Sequence, residues 1–390
     1  MCSRRLATLA VVAGVSLGGS ITGAGEFRGD PSFRTLVTTP LVVEGLTGDG
    51  HGNLYTPGRN AGPGMPCPVW RVDISTASLV PVGYLPAPSP SQQCSPAGLA
   101  FDGGSDLFVA DGDRILVLTP DASSPPMAAV FASGVPGTNA LAFDGDGNLW
   151  TGDGTTGQGR VWRITPDGLV SEVFRVPPMR NSTALGGAIA GEGVGRQARS
   201  FPPGTLENAA GGQDLVANGL AFDETGDLFI ADTARGAIWR VEFDHRGNVK
   251  SRMGCDVTFT RNTLCLDNVF VAHPVLEGLD GIALDRNGTI WGTANERNAV
   301  VVATARGRVR EIFRNRPAQE TGLRNIGPLE FPTSPFLSER VLCVANSDGN
   351  RRDNSPATAG EIGGDGQPRG KIACMDQRVP SPGIPLPIER

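Results

Sequence analysis

One recurring phrase constrains the fold of this chain more than any other feature. Its clearest copies are AGLAFDGGSDLFVAD from Ala97, NALAFDGDGNLWTGD from Asn139, NGLAFDETGDLFIAD from Asn218 and DGIALDRNGTIWGTA from Asp280. Fainter copies begin at Glu44 and Gly327 and bring the total to six. Each copy is an apolar strand, a polar turn that usually starts with Asp, and a second apolar strand, which is the pattern of a β-hairpin.

Two further strands follow several copies, for example 160–165 with 170–176, and 237–243 with 248–253. Four strands per repeat, with Asp102 and Asp144 about 40–45 residues apart, are typical of a propeller blade. We therefore expect an all-β six-bladed β-propeller of four-stranded antiparallel blades, a single domain over 30–390. Longer spacings predict insertions at 176–216, 254–278 and 347–370, on the face where the first strand of each blade begins. The 54 Gly and 31 Pro argue against a helical solenoid.

The N-terminus has the order of a secretory signal peptide. Two arginines precede the apolar run 6–17 and the small residues 22–24, which predicts a peptide over 1–24 and a secreted or periplasmic protein. Of the seven cysteines, Cys2 would leave with this peptide. The remaining six are expected to form disulfides, and the repeat register favours the sequential pairs Cys67–Cys94, Cys255–Cys265 and Cys343–Cys374.

The charge of the chain bears on its partners. A formal net charge of −6, a pI near 5.3 and the lack of any Lys or Arg run do not suit a phosphate backbone. No mature segment is apolar for long enough to cross a membrane. We expect a monomer that binds a small-molecule substrate, and neither nucleic acid nor a membrane.

The first residue of each innermost strand should point toward the propeller axis. Around the ring these residues read Glu44, Ala97, Asn139, Asn218, Asp280 and Gly327. Glu44, Asn139, Asn218 and Asp280 offer carboxylate or amide oxygens, and such a set suits Ca²⁺, with another divalent cation as the alternative. Ala97 and Gly327 would leave the site open on one side, as a catalytic metal requires.

On these residues the chain resembles the gluconolactonase and senescence-marker-protein propellers, relatives of the calcium-dependent phosphotriesterase of squid. In that family a Glu from blade one, Asn residues from blades three and four and an Asp from blade five surround calcium, and members hydrolyse lactones or phosphotriesters. Glu44, Asn139, Asn218 and Asp280 match these positions in turn. The family's substrate-contacting residues are not evident in blade two or in the loops.

The leading hypothesis is thus a secreted calcium-dependent hydrolase of lactones or related esters. Asp280 would act as general base or nucleophile, and Asn139 would help to orient the substrate. One alternative is a non-enzymatic propeller that binds a partner or glycan and keeps a structural metal. A strictosidine-synthase-like or lyase propeller is another, although it would need a catalytic Glu or His that the pattern does not supply.

Overall fold

The computed structural model describes residues 32–178, 213–255, 260–338, 341–349, 351–355, 360–362 and 366–375. The predicted signal peptide and most of the insertion 176–216 lie outside these residues. In the described part of the chain, no helix is both long and apolar enough to cross a membrane.

Six four-stranded antiparallel sheets form the blades of a propeller, which confirms the predicted fold. Blade one holds β2 (Thr47–Gly48), β3 (Asn53–Pro57), β4 (Cys67–Asp73) and β5 (Leu79–Leu85). Blade two holds β6 (Pro96–Phe101), β7 (Leu107–Asp111), β8 (Arg114–Leu118) and β9 (Ala129–Ser133). Blade three holds β10 (Thr138–Phe143), β11 (Leu149–Asp153), β12 (Arg160–Ile164) and β13 (Val170–Arg175).

The remaining blades repeat the pattern, and the last one is completed by the first strand of the chain. Blade four holds β14 (Leu220–Phe222), β15 (Leu228–Asp232), β16 (Ala237–Val241) and β17 (Val269–Ala272). Blade five holds β18 (Leu279–Leu284), β19 (Ile290–Ala294), β20 (Ala299–Ala303) and β21 (Val309–Arg314). Blade six holds β22 (Pro332–Leu337), β23 (Leu342–Asn346), β24 (Gly370–Met375) and β1 (Phe33–Thr39). Short 3-10 helices span Leu266–Asn268, Pro274–Leu276 and Asn295–Arg297.

Asp residues hold the tight turns of the repeated hairpins. Oδ1 of Asp144 accepts the backbone N–H of Asp146 at 3.0 Å and of Asn148 at 2.9 Å. Oδ2 of the same carboxylate accepts Trp150 Nε1 at 2.8 Å. Asp285 repeats this arrangement with Trp291 in blade five. The recurring Asp therefore satisfies the turn amides and also positions a core tryptophan.

The hydrophobic core lies between neighbouring blades. Trp150 of blade three packs edge-on against Phe222 of blade four with ring centroids 5.8 Å apart, in a cluster that also contains buried Trp239. Similar clusters fill each of the other five gaps, including the gap between blades six and one. Because the core is shared by adjacent blades, the inner strands are held at fixed positions around the axis.

Two predicted elements are corrected by the structure. The outer strand of blade four is β17, and the predicted strand 248–253 instead forms a short excursion with a bridge between Phe243 and Val249. The segment 248–253 carries Lys250 and Arg252, whereas β17 is the apolar run Val-Phe-Val-Ala, which suits a packed outer strand better. In blade six the inner strand begins at Pro332, five residues later than predicted.

All three predicted disulfides are present. Cys67 pairs with Cys94, Cys255 with Cys265, and Cys343 with Cys374 across adjacent strands of blade six. The Cys67–Cys94 bond joins the start of β4 to the connection between blades one and two, beside the segment that follows β3.

Candidate metal centre

Six residues occupy equivalent positions at the inner ends of the blades. In four blades the residue directly before this position pairs with the second strand; these pairs are Pro96 with Asp111, Thr138 with Asp153, Leu279 with Ala294, and Pro332 with Asn346. A register shift follows each pair, so the next residue lies at a bulge. We call these six residues the axial ring: Glu44, Ala97, Asn139, Asn218, Asp280 and Thr333.

Thr333 takes the position that the sequence pattern assigned to Gly327, so that prediction was wrong. Gly327 lies outside the strand and its carbonyl accepts Lys371 Nζ at 2.5 Å. Thr333 Oγ1 donates to the carbonyl oxygen of Glu44 at 2.6 Å, which joins blade six to blade one. The ring is therefore closed by a threonine whose hydroxyl is engaged, and only Ala97 lacks a polar side chain.

Small residues allow the blades to approach closely at the axis. A Cβ added to Gly98 would stand 2.5 Å from the carbonyl oxygen of Asn139, and one added to Gly219 would stand 2.4 Å from that of Asp280. Any larger residue would push a ring position outward. Below the ring, these glycines line a narrow axial cavity of about 60 Å³.

Asn218 has an orientation that its hydrogen bonds determine. Thr233 Oγ1 donates its proton to the carbonyl oxygen of Leu279 at 2.7 Å, so it can only accept from Asn218. Asn218 Nδ2 fills that role at 3.0 Å. The other amide atom, Oδ1, is buried and has no hydrogen-bond partner. An unpaired buried acceptor is costly, and a cation placed there would remove the cost.

Asp280 is a buried carboxylate with an unusual proton affinity. Its Oδ2 accepts a hydrogen bond from Asn295 Nδ2 at 2.8 Å. Burial raises the pKa of Asp280 to about 7, although the bond from Asn295, the charge of Arg59 and a contact with Asn218 each lower it. Asn295 in turn accepts Gln213 Nε2 at 3.0 Å, so the end of the insertion 176–216 is connected to the ring. The sequence pattern did not identify Asn295 or Gln213.

Arg59 is a ring neighbour that the sequence pattern missed. It follows β3 in blade one, and its Nη1 forms an ion pair with Glu44 Oε2. Its Nη2 donates to Ser95 Oγ at 2.8 Å, and its buried Nε has no partner. Burial lowers the pKa of Arg59, while the charges of Asp280 and Asp111 raise it. One guanidinium therefore lies within reach of both carboxylates of the ring.

Asn139 completes the predicted set on the blade-three side. It is buried at the start of β10, and its side chain packs against Gly154, where an added Cβ would meet Nδ2 at 2.6 Å. Glu44 pairs with Arg59, the charge of Arg59 acts on Asp280, and Asp280 contacts Asn218. Asn139 stands at the equivalent position between Ala97 and Asn218.

The residues fit a hard divalent cation in chemical type. They provide two carboxylates and two amide oxygens without nitrogen or sulfur ligands, and Asn218 Oδ1 is an acceptor that lacks a partner. Among the described residues, no three His, Cys, Asp or Glu side chains cluster so as to hold a metal ion, and the ring itself contains only two carboxylates.

Part of the chain matches a known family model. Residues 201–319, which include Asn218 and Asp280, match the family model described as SMP-30/Gluconolactonase/LRE-like region. The resemblance inferred from the repeated phrase is thereby confirmed. A search of curated proteins finds no match.

Solved structures share the propeller fold with this chain. The match to a luciferin-regenerating enzyme covers 91% of this chain and 100% of the enzyme, with 13% identity and a TM-score of 0.55. The match to the calcium-binding protein regucalcin from Agrobacterium tumefaciens covers 91% of this chain and 98% of regucalcin, with 17% identity and a TM-score of 0.54. The match to a PQQ-bound aldose sugar dehydrogenase from Streptomyces coelicolor covers 88% of this chain and 98% of the dehydrogenase, with 17% identity and a TM-score of 0.54. At such low identity, structural similarity establishes only the fold, and the chemistry must be argued from the site.

Proposed function

We propose that this protein is a secreted hydrolase that opens lactones or related esters with the help of a divalent cation, Ca²⁺ being the first candidate. The observation that carries the proposal is the axial ring, in which Glu44, Asn139, Asn218 and Asp280 present oxygen donors at one register. Asn218 Oδ1, buried and unpaired, adds an acceptor that a cation would satisfy. The matching family description supports the same class of substrate.

Asp280 has the properties of a general base. In the metal-free site burial raises its pKa to about 7, so this carboxylate has a high proton affinity, and a bound cation would lower the value. Asn295 holds the carboxylate in one orientation through Oδ2. In the proposed reaction, Asp280 takes a proton from water as the water oxygen bonds to the carbonyl carbon. When the bond from that carbon to the ring oxygen breaks, the proton returns to the leaving alkoxide.

The other ring residues would bind and orient the substrate. Asn139 stands at the ring with an amide that can donate to a carbonyl or hydroxyl oxygen. Ala97, the smallest ring side chain, offers no polar atom on the blade-two side. A bound divalent cation would supply Lewis-acid polarisation of the carbonyl oxygen.

The three disulfides support the proposed location. Disulfides form and persist in oxidising compartments, and Cys67–Cys94, Cys255–Cys265 and Cys343–Cys374 are distributed over three regions of the propeller. Detection of the mature protein outside the cytoplasm, with an N-terminus near residue 25, would test the predicted peptide 1–24. An unprocessed intracellular chain would contradict it.

The decisive experiment compares hydrolysis of a lactone panel, an aryl ester and a phosphotriester by the wild type in CaCl₂ and in EDTA. We expect lactone turnover that EDTA abolishes and CaCl₂ restores, and an Asp280→Asn variant that has lost at least ~10³-fold in kcat. Asp285→Asn is the control, because it also replaces a carboxylate in the same hairpin but lies at the turn, away from the axial ring. Absence of turnover in every condition, while CaCl₂ still raises Tm, would favour a binding propeller with a structural metal.

A further inference from the structure

The guanidinium of Arg59 occupies the region in which a ring-bound cation would neutralise charge. It pairs with Glu44, and its charge also acts on Asp280, so the two carboxylates of the axial ring share one positive group. With both carboxylates ionised, Arg59 leaves the ring with one uncompensated negative charge. A buried carboxylate without such a partner would be strongly destabilising.

Arg59 is fixed at its backbone, and its side chain remains partly exposed. Its N–H donates to the carbonyl oxygen of Val42 at 2.8 Å, and the flanking Gly58 N–H donates to that of Pro68 at 2.8 Å. Its side chain is 23% exposed, and Nε has no partner. Release of Glu44 would therefore require rotation of this side chain but no movement of the loop backbone.

A second position for the guanidinium is available close by. Arg59 Nη2 is already bound to Ser95 Oγ, and the charge of Asp111 also acts on Arg59. Asp111 is buried; its Oδ1 accepts Ser95 N–H at 2.7 Å, and its Oδ2 accepts Arg114 Nε at 3.1 Å and Nη2 at 2.6 Å. Movement toward Ser95 would keep Arg59 within the field of Asp111, which it would share with Arg114, while releasing Glu44.

We propose that Arg59 is a built-in cation that competes with a divalent metal for Glu44 and thereby sets how tightly the axial ring binds it. Binding of the metal replaces the guanidinium at Glu44, and Arg59 moves toward Ser95 and Asp111. This proposal rests on the divalent-cation site of the proposed function, but not on any hydrolytic activity.

The test measures Ca²⁺ binding by titration calorimetry on EDTA-stripped, dialysed full-length protein. Arg59→Met keeps the length and apolar stem of the side chain and removes its charge, so Ca²⁺ affinity should rise tenfold or more. Arg59→Lys retains the charge and should bind close to the wild type. Arg235→Met removes a comparable buried ion pair with Asp232 on blade four and should leave the affinity unchanged.

Thermal melting gives a second readout that needs no turnover. In EDTA, Arg59→Met should melt below the wild type because Glu44 and Asp280 lose their counter-charge, and CaCl₂ should raise its Tm more than that of the wild type. Unchanged or weaker Ca²⁺ binding by Arg59→Met overturns the proposal, as does a failure of both proteins to bind Ca²⁺. Tighter binding by Arg59→Met together with EDTA-resistant hydrolysis by the wild type would uphold it and refute calcium-dependent catalysis.

Discussion

Asn295 donates its side-chain amide to Asp280 Oδ2 at 2.8 Å and thereby holds the most perturbed carboxylate of the axial ring in one orientation. The same amide accepts from Gln213 through Oδ1. Asn295 therefore connects the proposed general base to the end of the longest insertion, and a change there should alter the chemistry of Asp280 without touching the substrate.

An Asn295→Leu variant tests this connection. Leucine has a similar shape but cannot donate, so the pKa of Asp280 should rise further and the acid limb of the pH–rate profile should move to higher pH. We expect a loss of about 10–100-fold in kcat at pH 7, as is typical when the partner of a site residue is removed. Asn315→Leu, at a buried Asn between Arg324 and Leu329, is the matched control. If both variants keep the wild-type pH profile, Asn295 has only a structural role.

Calcium affinity should depend on pH through Asp280. Its carboxyl must lose a proton to bind the cation, and its folded pKa is about 7, so affinity should increase about tenfold per pH unit below 7 and level off above it. Calorimetry in buffers of different ionisation enthalpy should detect release of close to one proton at pH 6 and almost none at pH 8.5. A flat affinity between pH 6 and 8 would contradict this assignment.

The stability of the metal-free protein should change in the opposite direction. The folded pKa of Asp280 lies above its ordinary value of 3.8, so its contribution is present below that value and is lost as pH rises through about 7. Calcium should therefore raise Tm more at pH 8 than at pH 6. Asp280→Asn carries no titrating group at this position, so its Tm should respond less to pH over that range.

Gly154→Ala should displace Asn139 while leaving the blade intact. The added methyl would stand 2.6 to 2.9 Å from three atoms of the Asn139 side chain, too close for any real contact. We expect weaker Ca²⁺ binding and lower kcat, with unfolding free energy reduced by about 1–3 kcal/mol. Gly145→Ala, in a turn of the same blade with open space around it, should behave as the wild type. Equal behaviour of the two variants would show that Asn139 does not belong to the site.

Removal of the Cys67–Cys94 disulfide should loosen the segment that carries Arg59. This bond closes a loop with a sequence separation of 27, and the N–H of Asn60 donates to the carbonyl oxygen of Cys94. Loop entropy predicts a loss of about 3–4 kcal/mol in unfolding free energy for a Cys67→Ser, Cys94→Ser double variant. Urea denaturation measures this loss, and Cys255→Ser, Cys265→Ser, which opens a loop with a separation of only 10, should lose less.

The sequence was sufficient to place the ring position in five blades, because the same phrase surrounds each of these positions. Asn139, Asn218 and Asp280 precede nearly identical apolar strands and Asp-based turns, so their register could be counted. Blade six lacks that phrase: Thr333 is followed by Ser and Pro, and its hairpin turn comes at Ser338 without an Asp. A count based on Gly327 therefore placed the inner strand too early.

Residues outside the repeat could not be found in this way. Arg59 reaches the axis from a loop, and the direction of a long side chain depends on the packing of Ser95 and Glu44 around it. Asn295 follows the second strand of blade five, where other blades carry Asp or Thr at various offsets. The outer strand of blade four was misplaced because the chain inserts a disulfide-bonded excursion before β17. The pattern locates ring positions that the backbone repeats, but not residues whose long side chains reach the ring from a loop.

The pairing of β1 with β24 places Phe33 opposite Met375, so the last blade is built from both ends of the described chain. Every other blade can form from a continuous stretch of sequence, but this one must wait until nearly the whole chain is available. Glu44 and Thr333 meet just beside this junction. The axial ring can therefore reach its final spacing only in the last step of folding, and cation binding should report on completed molecules and not on partly folded ones.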